Sequence, residues 1–404
     1  MEKLRFGANY IPSKNWLFNW MDWDASAVEE DLIASKEIGI DHIRANLLWP
    51  YFQLDQYVLS PSAMKHLEEF CEICEKVGMD YCLAVFTGFM SGKFFYPAWI
   101  RKFSGAFECG MFNNPDIMKA EEFFLRKIAD VVKDKPRFIG FDLGNELSCI
   151  VNGDPKVTRQ QCDEWNNRML ALCEELVPGK LHNNGVDHQP WFNDKAFSRR
   201  VLANTGAITP LHCYTYFTGG INFGRMSTES VHLAPFMVEV AKAYTNDPDR
   251  KFWIQEFGTA DVVFDDEMSR FVTESMHAMY TSPNLWGITW WCTHNLDERY
   301  TSYDALEFEL GLFDTNNKLT PAGELYKKLI AEYKSGNFEP IKRTKALVFN
   351  QYDEQGSINS KATWRNGNRY AELVNQGIYP AFILPEKIND TEYLKKRGIT
   401  EIIE

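Results

Sequence analysis

No stretch of this chain approaches the roughly 18 consecutive apolar residues that a membrane helix needs. Nor does its opening, MEKLRFGANY, carry a charged region followed by an apolar one. Neither a membrane span nor a secretory leader is expected. Basic charge is also short, with 43 Lys and Arg against 56 Asp and Glu, a net of −13 with no long basic run. That argues against a nucleic-acid or anionic-membrane surface. The sequence has no HExxH, no paired CxxC, no phosphate loop and no dinucleotide glycine pattern. No metal or organic cofactor is therefore expected. Internal repeats and low-complexity stretches are missing as well. The nine cysteines are odd in number and scattered through apolar segments. They fit a reduced, cytoplasmic protein better than a disulfide framework. Cys71 and Cys74 have redox spacing but share a helix with Leu67 and Phe70, which reads as buried thiols.

What the chain does have is aromatic surface and a repeating alternation. Aromatics make up 14% of the 404 residues, twelve of them Trp, enough for core packing and for flat sugar-binding faces. Short apolar runs are expected as strands at 4–9, 42–48, 81–86, 138–143, 181–186, 207–213, 252–255 and 285–291. Helices are expected near 25–38, 62–77, 115–133, 159–176, 191–199, 229–244, 265–281 and 321–334. Asp24 is placed to cap the first helix and Gly39 to end it, while Pro115 and Pro321 suit first-turn positions. Strands alternating with helices imply parallel strands joined by crossovers, and eight such units imply a closed (β/α)8 TIM barrel. The fifth unit is the weakest, because its helix is short and poorly patterned. The pattern changes near residue 337, with strands expected at 345–350, 381–385 and 401–403 and helices at 369–377 and 390–397. The division expected is a catalytic barrel over 1–337 and a small α/β appendage over 338–404.

Catalytic groups of such barrels sit just past the C-terminal ends of the strands. The fourth strand runs out in Gly140-Phe-Asp-Leu-Gly-Asn-Glu146, the seventh in Phe252-Trp-Ile-Gln-Glu256-Phe-Gly258. Each places a carboxylate where an apolar strand meets a polar loop. Two carboxylates facing each other across a barrel mouth suit glycoside hydrolysis, one as acid/base and one as nucleophile. A lone Glu after a strand is usually a helix cap or a surface charge. The Asn-Glu pair joined to an aromatic-rich Glu-Phe-Gly is much harder to obtain by accident.

From about Phe6 to Tyr333 the chain resembles glycoside hydrolase family 5, in the clan of retaining β/α-barrel glycosidases. The resemblance implies Glu146 as acid/base and Glu256 as nucleophile. It implies Arg44, in His-Ile-Arg-Ala-Asn, as the support of the nucleophile, and Asn145 as a partner of the sugar 2-hydroxyl. It matches His212 and Tyr214 to a pair near the nucleophile, and Trp290 or Trp291 to the floor of the sugar site. Trp16, Trp20 and Trp23 are candidates for the site wall, with a hydrophobic cluster as the alternative. His294, Asp297, Glu298 and Arg299 are candidates for holding sugar hydroxyls, with a solvated loop as theirs. The likeness is greatest to intracellular exo-β-mannosidases that remove mannose from short β-1,4-linked fragments such as Man-β-1,4-GlcNAc. The implied partner is an oligosaccharide, and the appendage resembles one that helps such enzymes form homo-oligomers, a trimer among them. The same scaffold leaves open a β-galactosidase, a β-glucosidase, an endo-β-mannanase or glucanase, or a non-catalytic carbohydrate-binding barrel.

Overall fold

The computed structural model describes residues 3–100, 110–154, 156–193, 195–352 and 358–403. Seven parallel strands form its main sheet: β1 (Arg5–Tyr10), β2 (His42–Leu48), β3 (Asp80–Thr87), β4 (Phe138–Asp142), β5 (Thr209–His212), β6 (Phe252–Phe257) and β7 (Leu285–Trp290). Their order is β4-β3-β2-β1-β7-β6-β5, so the first and last strands pair and curl the sheet into a β/α barrel. The strands are buried almost throughout, which is why they read as continuous apolar runs rather than alternating ones.

Local chemistry sets the helix ends. Asp24 accepts the backbone N–H of Ala27 at 3.1 Å to start α1 (Ala25–Glu37). Ser60 caps α2 (Pro61–Val77), and Gly78 ends it at φ +74°, a left-handed value that Gly adopts at no steric cost. Asn114 caps α3 (Pro115–Val132), and a capping box of Thr158 and Gln161 opens α4 (Arg159–Leu176). After β5 and β6 come α5 (Leu233–Tyr244) and α6 (Met268–Tyr280), and α7 (Pro321–Ser335) closes the ring under a Thr320 cap. Among the described residues no helix is long and apolar enough to cross a membrane.

The fifth barrel position departs from expectation. The segment 181–186 is not a strand but a single parallel bridge from Asn183 to Asp142. Its backbone still reaches β4 through Asn183 N–H to the Phe141 carbonyl at 2.9 Å, and β5's approach through Ala207 N–H to the His182 carbonyl at 2.8 Å. The Asn183 side chain folds back on the Leu181 carbonyl at 3.0 Å, and Asn184 turns to Asn166. Such local side-chain bonds compete with a regular ladder. The helix expected over 191–199 is likewise two short ones, Gln189–Phe192 and Arg199–Asn204, separated by Ala196 at φ +59°; residue 194 lies outside the described residues.

Beyond the barrel, β8 (Lys345–Val348) is the centre of a second parallel sheet between β9 (Ala381–Ile383) and β10 (Glu401–Ile403). The helix expected over 369–377 begins much earlier, as α8 (Ser360–Val374), because Asn359 caps it through the Ala362 N–H. A last helix, α9 (Thr391–Lys396), precedes β10. Trp364 of α8 stacks on Phe236 of α5, with centroids 5.6 Å apart and planes 12° apart. The apolar core runs unbroken from barrel to tail through these rings.

Candidate active site

β2 delivers Arg44 into the barrel mouth, fully buried. Its Nε donates to Asp142 at 2.7 Å, and Nη1 donates to Asn9 at 3.0 Å and to Glu256 at 2.8 Å. Nη2 donates to the side-chain oxygen of Asn145 at 2.9 Å. One guanidinium thus ties together residues from β1, β4, the turn after β4, and β6. Asp142 is held in turn by the N–H groups of Gly144 and Gly185, at 3.1 and 2.7 Å.

Glu146 stands just before a short helix, Leu147–Asn152, with left-handed backbone angles of φ 47° and ψ 50°. That conformation costs a non-glycine residue roughly 1–2 kcal/mol. Its N–H donates to the Gly185 carbonyl at 2.7 Å, which fixes the turn. Glu256 is the next-to-last residue of β6, with Oε1 on Arg44 and Oε2 accepting the Tyr214 hydroxyl at 2.7 Å. His212 stands between the two carboxylates, its Nδ1 at 3.0 Å from Glu146 Oε1 and 3.4 Å from Glu256 Oε2. Among the described residues, one such atom from each of Glu146, His212 and Glu256 lies within 4.8 Å of the others. These donors suit a cation in kind, but the positive charge against Glu256 is already supplied by Arg44.

Burial raises the Glu146 carboxyl to about 8; the charge of Asp187 adds to the rise and Arg44 opposes it. Burial also raises Glu256, with Arg44 and the Tyr214 hydroxyl opposing the rise. The pair therefore holds its proton on Glu146. Burial keeps His212 below the usual histidine range, and hence neutral.

The structure brings together Arg44, Asn145, Glu146, His212, Tyr214 and Glu256. It does not bring Trp290 with them: that indole is fully buried, donates to the Leu310 carbonyl at 2.9 Å and packs on Phe257 and Tyr326 of the outer shell. Alternation directs Trp291 the opposite way. Trp20 donates to the Asn46 carbonyl and stacks on Trp23, which stacks on His66 of α2, so both sit in a structural cluster. Asp297 pairs with Arg299 in its own loop, and the fully buried His294 is spent on the Ile11 carbonyl and Asn317.

Sequence reasoning passed over Asn9, Asp142, Asn183, Gln255 and Glu307. The first four are polar residues inside or beside apolar strands, and a polar side chain in a fully buried run is the signal that marks them. Glu307 had no such signal. It lies in the loop after β7 and accepts from Ser91, in the loop after β3, at 2.9 Å. Lys93 crosses the same gap, donating to the Ser302 carbonyl at 2.7 Å and lying 4.6 Å over the Tyr303 ring. Together these contacts close one side of the barrel mouth.

No protein-family model matches the sequence, and no curated protein does. Solved structures match over nearly the whole chain. A glutamate-to-alanine variant of a GH5_18 protein from Streptomyces cattleya, in complex with Manβ1-4GlcNAc, is 31% identical. The match covers 99% of this chain and 98% of that one at a TM-score of 0.92. A GH5_18 structure from Bifidobacterium longum subsp. infantis is 28% identical over 100% and 97% of the two chains, at 0.92. Another variant, from Bifidobacterium longum subsp. longum and also in complex with Manβ1-4GlcNAc, is 29% identical over 99% and 95%, at 0.90.

Proposed function

The chain belongs to glycoside hydrolase family 5, subfamily 18 (GH5_18), and from that premise we propose that it is a retaining exo-β-mannosidase. Its substrates are short β-1,4-linked oligosaccharides such as Man-β-1,4-GlcNAc, the disaccharide bound in two of the similar structures. The observation that carries the reading is the 4.8 Å limit on the spacing within the Glu146, His212 and Glu256 trio. Retaining pairs lie about 5–5.5 Å apart, whereas an inverting pair needs about 6.5–9.5 Å to admit a water.

In the first step Glu146 gives its proton to the glycosidic oxygen, which leaves with the electron pair of its bond to C1. An oxygen of Glu256 bonds to C1 and forms the glycosyl ester. Ester formation removes the negative charge beside Glu146 and so lowers its proton affinity. Glu146 can then take a proton from the water that attacks C1, and Glu256 departs as a carboxylate. Arg44 and the Tyr214 hydroxyl stabilise that carboxylate in both steps. Trp291 is assigned the floor of the sugar site and Asn145 the 2-hydroxyl. Exo action is supported by the Ser91–Glu307 and Lys93–Ser302 contacts, which block one end of the mouth.

Residues 1–337 are assigned to the catalytic barrel and 338–404 to an appendage on it. A homo-oligomer, with a trimer as the working expectation, is supported by the open β10 edge and its partly exposed Ile402; light scattering measures it. The eight described cysteines are all free and seven are buried, which supports a reducing, cytoplasmic setting.

The test is a panel of p-nitrophenyl β-glycosides with wild type and Glu256→Ala side by side, followed by product analysis on β-1,4-mannooligosaccharides. The expected result is β-mannoside release that drops on the order of a thousandfold or more in the variant, with mannose the only early product. Preference for a galactoside or glucoside, or mixed oligomers from the outset, would overturn it.

A further inference from the structure

Behind the carboxylate pair runs a line of buried amides whose hydrogen bonds have a single direction. The Asn183 Nδ2 donates to the Leu181 carbonyl at 3.0 Å, so its Oδ1 is the atom turned toward Gln255. Gln255 Nε2 donates to that oxygen at 3.0 Å. The Oε1 of Gln255 is therefore the atom facing His212 Nε2, at 3.2 Å. A carbonyl oxygen only accepts, so the neutral imidazole carries its hydrogen on Nε2 and leaves Nδ1 bare. Gln255 and Asn183 are both fully or almost fully buried, so no bulk solvent competes for these bonds.

That bare Nδ1 points at two carboxylates. Glu256 has both oxygens engaged, Oε1 by Arg44 and Oε2 by the Tyr214 hydroxyl. The nitrogen's partner is then the hydroxyl of a protonated Glu146, 3.0 Å away. With the opposite tautomer, Nδ1–H would donate to a Glu146 carboxylate, favour its anion and weaken the acid. Because this relay refines the glycosidase reading, it rests on that reading for its catalytic meaning. We propose that Gln255, oriented by Asn183, is a positioning residue that fixes His212 as the Nε2–H tautomer and thereby keeps the catalytic proton on Glu146. The titratable and charged groups facing His212 include Glu146, Glu256, Arg44, Asp142 and His188; those facing Glu146 include His212, Asp187, Arg44, Glu256, Cys149, Tyr214, Tyr216 and Glu307. All of them stay in place when Gln255 is replaced by a neutral side chain of similar length.

The experiment compares the full-length wild type with Gln255→Met and Gln255→Glu. Nitrogen-15 NMR of labelled histidine, with the His212 signal assigned by its loss in His212→Gln, reads the tautomer in the resting enzyme. The wild type is expected to show hydrogen on Nε2 and a bare Nδ1. In Gln255→Met the hydrogen should populate Nδ1, and the basic limb of kcat/KM on Man-β-1,4-GlcNAc should move down by about one pH unit, about a tenfold loss on that limb. In Gln255→Glu the carboxylate still accepts from Nε2–H, so that ring hydrogen should remain. Hydrogen on Nδ1 in the wild type would overturn the proposal, as would a folded Gln255→Met enzyme whose basic limb stays put. The NMR reading needs no substrate, so failure of the mannosidase reading on the glycoside panel leaves it decisive in its own right.

Discussion

Arg44 spends four of its N–H donors on four different side chains, those of Asn9, Asp142, Asn145 and Glu256. The planar fork of a guanidinium can do this and the single ammonium of a lysine cannot. Its positive charge falls mainly on Asp142 and Glu256, and this favours Glu256 as the anion of the two carboxylates in the proposed mechanism. In the proposed mechanism Glu146 enters the reaction protonated, and burial has raised its carboxyl to about 8. With the proton required and the pKa raised, activity should fall as the pH climbs through about 8. Replacing it tests both points together. Glu146→Ala is expected to lose on the order of a thousandfold on Man-β-1,4-GlcNAc while sparing formation of the glycosyl-enzyme from activated aryl mannosides, whose leaving groups need no proton. Its pH profile should also lose the basic limb. Equal losses on both substrates, or a basic limb that persists, would remove Glu146 from the acid role.

At the scale of the element, the irregular fifth position is what brings the second layer of the site close. The 181–186 segment does not continue as a strand, so Gly185 dips inward, donates to Asp142 and accepts from Glu146. A Cβ on Gly185 would lie 2.4 Å from an Asp142 oxygen and 2.9 Å from Arg44 Nη2. Those atoms are locked in the Arg44 network and cannot move without disturbing Glu256. Gly185→Ala should therefore lower kcat/KM by about a hundredfold through displacement of order 1 Å, measured on a variant whose circular dichroism matches wild type. Wild-type turnover there would mean that the loop yields freely. The eight-unit alternation was legible because buried parallel strands are apolar runs and the helices carry start signals such as the Asp24 cap and the first-turn Pro115. Two Asn and a Gly in the fifth run were also legible, but what they build depends on partners in β4.

For the whole molecule, the tail is joined to the barrel by charge as well as by rings. Glu239 of α5 is fully buried and faces Arg343 at 3.2 Å, Arg397 at 3.1 Å and Lys242 at 3.6 Å. Burial alone would raise its carboxyl, yet the three cations hold it below the usual range. A depressed carboxyl contributes stability that is present above the unfolded value near 4.5 and lost as the pH falls through the lower, folded one. Glu239→Gln leaves three buried cations without their anion. It should destabilise by about 3–5 kcal/mol in urea unfolding at neutral pH, with kcat/KM little changed because the site lies elsewhere. A loss below about 1 kcal/mol would place the join in the Trp364 and Phe236 packing instead.

The sequence by itself determined the strand–helix alternation, the Asp24 cap and the positions of Glu146 and Glu256 past apolar strand runs, because these follow from neighbours within a few residues. Tertiary structure alone decided what those residues meet. Arg44 and Glu256 are 212 positions apart, and Gln255 and Asn183 are 72 apart. Whether Trp290 or Trp291 faces the mouth depends on which side of β7 meets Tyr326 of α7. Whether the fifth run pairs as a strand depends on Asp142 taking the Gly185 N–H and Asn166 accepting from the Asn184 side chain. Local propensity and period are written in order along the chain; the direction of a buried side chain is fixed only when the elements close around it.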